Sequence, residues 1–104
     1  MKEKSLRLIG FDSIGEEEID IAKKLVSHYL NRINNIIDYD ELKVNLKLHE
    51  RRNLFIHEIR AELFTGSKVL VATSENKNLF SALADCFEAL LVEIDKNFKK
   101  KKRS

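Results

Sequence analysis

The sequence predicts an α+β domain of order β-α-β-β-β-α, a four-stranded sheet with two helices packed on one of its faces. Three observations carry this. Apolar residues recur at steps of three and four over two long segments, Ile19 to Ile36 and Leu79 to Phe98, which is helix spacing. Leu42, Val44, Leu46 and Leu48 alternate with Lys43, Asn45, Lys47 and His49, the period of a strand with one apolar and one cationic face. Thr65-Gly66-Ser67 separates two further strand-like runs, and glycine supplies the positive φ of a tight hairpin turn.

Each element then follows in order. Leu6 to Phe11 reads as a short first strand ending near Gly10. Asp12 or Ser13 can cap the next segment, whose first turn is crowded by Glu16, Glu17, Glu18 and Asp20, carboxylates that suit the positive end of a helix dipole. Ile19, Ala22, Val26, Tyr29, Ile33 and Ile36 form the buried stripe of a helix of about six turns. Asp38-Tyr39-Asp40 breaks it. After the alternating strand, Arg51-Arg52-Asn53 makes a turn into a third strand. There Phe55, His57, Ile59, Ala61 and Leu63 face one way, and Glu58, Arg60 and Glu62 the other. Val69 to Thr73 is the fourth strand, and Asn78 can cap a final helix running toward Arg103. Consecutive hairpins make the last three strands antiparallel, and both helices must cover the apolar sheet face because the other face is polar.

A chain of 104 residues is the size of one domain, 1–104, and can bury a core without staples. No apolar run approaches the ~18 residues of a membrane span, and no secretory signal is visible, so a cytoplasmic protein is the expectation. Cys86 is alone and falls on the apolar stripe of the last helix, as a packed thiol would. The net charge of +2 hides an asymmetry: Lys96 and Lys99 to Arg103 place six cations after the last acid, Asp95, in a basic tail at about 96–104. The other residues hold 13 cations against 17 acids, so any nucleic-acid contact must use a local patch.

Several motifs, taken together, resemble a known family. Tyr29-Leu30-Asn31-Arg32-Ile33-Asn34 is similar to an aromatic-x-[Asp/Asn]-Arg-Ile stretch, Leu42-Lys43-Val44 to a second strand, and Asn78-Leu79-Phe80-Ser81-Ala82-Leu83-Ala84-Asp85 to an Asp-Met-Tyr-x-Ala-Ile-Asp helix opening. These belong to the short ribosome hibernation-promoting factors, also described as ribosome-associated inhibitors or sigma-factor modulation proteins. The likeness runs from about Leu6 to Lys102. It implies a protein that sits on the small ribosomal subunit where mRNA and tRNA would lie, contacts rRNA phosphates and blocks translation. The family often lines the outer face of its last helix with cations, whereas Ala89, Val92 and Glu93 stand there in this chain.

With the resemblance, the tail cations Lys96, Lys99, Lys100, Lys101, Lys102 and Arg103 read as a phosphate-binding arm; without it, a solubilising helix end explains them equally. Lys24, His28 and Arg32 share one helix stripe with Lys23 beside it, and Lys43, Lys47, Arg51 and Arg52 form a second candidate RNA-binding surface; an ordinary solvated face is the alternative for the first, and protection of a lysine-rich strand face against aggregation for the second. Phe55, Phe80, Phe87, Phe98 and Tyr29 are expected inside, leaving Phe64 as the candidate exposed ring. His49 and His57 are close enough in sequence to approach across the hairpin, yet no Cys or close acid completes a metal site. No nucleophile elbow or phosphate-cradling glycine loop is present, so neither an enzyme, a cofactor nor a small-molecule substrate is expected. Two other readings stand beside the ribosomal one. A double-stranded-RNA-binding module shares the strands-then-helix ending, although the paired lysines expected to open its last helix are replaced here by Asn78-Leu79-Phe80. A protein-interaction module would use the apolar surface widened by Leu91 and Val92 for a partner or for weak self-association.

Overall fold

The computed structural model describes residues 4–99. Strand β1 (Ser5–Ile9) leads through a 3₁₀ turn (Phe11–Ser13) into helix α1 (Glu16–Asn34); strands β2 (Glu41–Arg51), β3 (Leu54–Thr65) and β4 (Lys68–Asn76) follow, then helix α2 (Leu79–Ile94) and a π-helical turn (Asp95–Lys99). The sheet order is β1-β2-β3-β4, with β1 parallel to β2 through the α1 crossover and the other two pairs antiparallel. This is the predicted α+β architecture.

Both helices cover one sheet face. Ala22, Val26, Tyr29 and Ile33 of α1 and Leu83, Cys86, Phe87, Leu90 and Ile94 of α2 meet Leu42, Val44, Leu46, Ile59, Ala61, Leu63, Leu70 and Ala72 of the sheet. All are buried, and no polar or charged side chain among the described residues is buried with them. Phe87 lies at the centre, its ring stacked on Tyr29 at 5.0 Å between centroids and 6° between planes. Cys86 is packed as predicted: burial pushes its thiol up to about 11, so no thiolate forms at neutral pH.

Local chemistry explains the turns. Gly10 has φ 86°, and a Cβ there would run into the Leu46 carbonyl oxygen, so the chain can leave β1 this close to β2 only with glycine. Gly66 at φ 57° opens the β3–β4 hairpin, and its N–H donates to Asp40 Oδ2 at 2.8 Å. Arg52 and Asn53 both have positive φ, 52° and 68°, the signature of a two-residue type I′ turn built without glycine.

Four expectations need correction. The α1 cap is Gly15 rather than Asp12 or Ser13, since those two are held in the 3₁₀ turn where Ser13 Oγ donates to Gly10 O; Glu18 Oε1 instead accepts from the Gly15 N–H. The last helix leaves α geometry at Ile94, where Asn97 Nδ2 donates to the Glu93 carbonyl in competition with the backbone and the chain widens into the π turn. His49 and His57 do not approach: their partners across the hairpin are Ile56 and Leu48, so they occupy opposite sheet faces. Phe55 is not core but 58% exposed, because the β2–β3 hairpin runs past the starts of both helices and, among the described residues, only the turn before α1 lies beside it.

Candidate nucleic-acid interface

The predicted cations fall on three parts of the molecule. Lys23, Lys24 and Arg32 belong to α1 and so to the helical side of the sheet. Lys43 and Lys47 stand on the opposite, outer face, and Arg51 and Arg52 at the exposed hairpin tip. Lys96 lies in the π turn at the far end of α2, with Lys99 its last residue. The remaining tail cations, Lys100, Lys101, Lys102 and Arg103, lie outside the described residues.

Register decides which of these cations are available. On the outer face β3 sets a glutamate opposite each β2 lysine: Lys43 pairs with Glu62 at 3.9 Å, and Lys47 stands across from Glu58. Lys43 also lies over the Phe64 ring, which is half-buried. His49 Nε2 lies 2.6 Å from Glu58 Oε1, and that hydrogen bond, ahead of the nearby Lys47 and Arg51 charges, holds the Glu58 carboxyl below its usual range. Arg60 donates to Glu62 as well. The outer face is therefore a charge-balanced ladder of the kind that stabilises cross-strand pairs.

Arg32 is also engaged. Its guanidinium sits 3.1 Å from Glu88 Oε2 on α2 and over the Tyr29 ring, while the Tyr29 hydroxyl donates to the same carboxylate at 2.9 Å. Glu88 is held below its ordinary range first by the Tyr29 hydrogen bond and then by Arg32; burial and the carboxylate together raise the Tyr29 phenol. Lys96 is 3.8 Å from Glu93. The exposed positions Asp85 and Glu88, with Asp95 beyond them, give α2 an acidic outward surface.

Lys23, Lys24, Arg51 and Arg52 are exposed and make no ion pair among the described residues. At the hairpin tip the two arginines adjoin Leu54 and Phe55, 50% and 58% exposed, a cationic and apolar combination that the alternating pattern alone did not reveal. Alternation gives the face a residue points to and not where the helices begin, so it held no signal for this exposure.

No family model and no curated protein sequence matches the chain. Solved structures do. A ribosomal subunit interface protein from Coxiella burnetii superposes with a TM-score of 0.64 at 10% identity, over 94% of this chain and 100% of that one. The N-terminal domain of Thermus thermophilus Protein Y superposes with a TM-score of 0.54 at 19% identity, over 92% and 98% of the two chains. The chain has the fold of these two proteins over 94% and 92% of its length.

Proposed function

We propose that this protein binds the ribosome and inhibits translation by occupying the mRNA and tRNA path on the small subunit, without chemistry of its own. The observation that carries the reading is the match of fold to a ribosomal subunit interface protein over 94% of this chain, joined to the motif likeness at Tyr29 to Asn34 and Asn78 to Asp85. The contacts are to rRNA phosphates and are made by the unpaired cations, Lys23 and Lys24 on the helical side and Arg51 and Arg52 at the tip, together with the tail from Lys99 to Arg103. Lys43, Lys47, Arg32 and Lys96 have a secondary part, since each faces a carboxylate that an incoming phosphate must displace.

Neutralising phosphates releases counterions, so affinity should fall linearly in log–log form as salt rises. Sucrose-gradient co-sedimentation with isolated small subunits at several salt concentrations tests this. Replacing Arg51 and Arg52 by Ala should lower the slope by about 1 for each phosphate left without its arginine. Sedimentation that ignores salt, or no sedimentation at low salt, would refute the reading. A shift of duplex RNA by the free protein would favour the double-stranded-RNA module instead.

A further inference from the structure

Among the described residues the sheet has two unpaired edge strands, β1 and β4, and they differ. Strand β1 is five residues long and carries Arg7 at its centre, the kind of short, charged edge that resists pairing. Strand β4 is nine residues long, has no proline, keeps unbroken register with β3 from Lys68 to Asn76, and carries charge only at Lys68 and Glu75 near its ends. Among the described residues, none of the usual protections of an edge is present in its middle.

The backbone phase is set by the hairpin. Thr65 and Lys68 close the two-residue Gly66-Ser67 turn, and in an antiparallel ladder residues bonded inward alternate with residues whose N–H and C=O face away. The groups facing away are those of Val69, Val71, Thr73 and Glu75. Their side chains share the outer sheet face, where Val69 and Val71 are 51% and 37% exposed and Phe64 stands directly across from Val69. The opposite face of β4 is already filled by α2, with Cys86 against Ala72 and Ser74 Oγ donating to the Ala82 carbonyl.

We propose that β4 pairs antiparallel with β4 of a second copy about a two-fold axis at Val71, making one continuous eight-stranded sheet. In this register Val71 meets Val71, Val69 meets Thr73 and Ser67 meets Glu75 of the second copy, so every outward backbone group from Val69 to Thr73 gains a partner and no like charges are opposed. Val69, Val71 and Phe64 of both copies become one apolar strip on the outer face. A second copy satisfies the edge by symmetry, with the same patch on both sides. The pairing leaves the hairpin tip and the α1 cations uncovered and does not depend on ribosome binding.

Sedimentation equilibrium over a wide concentration range, with Val71→Lys and Val92→Lys as variants, tests the proposal; Val92, 53% exposed on α2, controls for association through the helix face. The expected result is a wild-type mass rising toward twice that of the monomer, a monomeric Val71→Lys and a Val92→Lys that still dimerises. A wild type monomeric throughout, or any association that Val71→Lys leaves intact or that Val92→Lys also removes, overturns it. Hydrogen exchange keeps the test sound should Val71→Lys fold poorly. The Val69, Val71 and Thr73 amides of the wild type should exchange more slowly as concentration rises, while Leu70 and Ala72 stay protected throughout; outward amides indifferent to concentration would also overturn it.

Discussion

At the residue scale, Glu88 is the group on which the two helices agree. Its carboxylate accepts from the Tyr29 hydroxyl and from Arg32, and both bonds favour the charged form, so its pKa is lower folded than unfolded. Such a group contributes stability above its unfolded value, near 4.3 for glutamate, and loses that contribution as pH falls through the folded value. The side chain is 56% exposed, so solvent screening limits the ion pair to about 0.5 kcal/mol. Urea unfolding should show Glu88→Gln less stable than wild type at pH 7, with the two converging in acid below the folded pKa. Parallel curves across that range would mean the bond is not formed in solution. Gly10 is the sharper residue: since a Cβ must push against the Leu46 carbonyl in a backbone already at positive φ, Gly10→Ala should cost about 2–4 kcal/mol, read as a lowered denaturant midpoint.

At the scale of elements, the β2–β3 hairpin places its strain where it places its charge. A type I′ turn wants Asn-Gly, yet Arg52 occupies the first left-handed position at a cost of about 1 kcal/mol. Arg52→Asn should therefore raise the unfolding midpoint while weakening ribosome co-sedimentation, two readouts moving in opposite directions. If binding is unchanged as stability rises, the tip arginine has no part in the interface. The hairpin also marks how far sequence reasoning reached. Period and turn chemistry located every strand, and the Asn78 cap is present, its Oδ1 accepting from the Ser81 N–H at 2.9 Å. Alternation assigned Phe55 to the correct sheet face, but whether that face is covered depends on where helices begin relative to strands. The same gap hid the neutralised lysines, because a strand's own pattern shows its cations and not the glutamates that register sets opposite them.

At the scale of the whole molecule, the tip arginines and the last described turn before the tail sit at two ends, with Lys23 and Lys24 on α1 between them. The tip with Arg51 and Arg52 stands beyond the helix starts, whereas the tail departs from Phe98, which lies under Lys68 beside the β3–β4 turn. Counted along β2 the two are separated by about 30 Å, so they share no partner and should act independently on any surface long enough to touch both. Comparing wild type, Arg51→Ala/Arg52→Ala, a chain lacking Lys99 to Ser104, and the combination resolves this at several salt concentrations. If one extended RNA surface spans both ends, the decreases in log affinity add, and each change lowers the salt slope on its own. If only the tail is engaged, the arginine changes leave affinity and slope untouched. Decreases far short of additive would mean that the two ends reach the same phosphates in alternative poses, which a rigid domain held in one orientation does not permit.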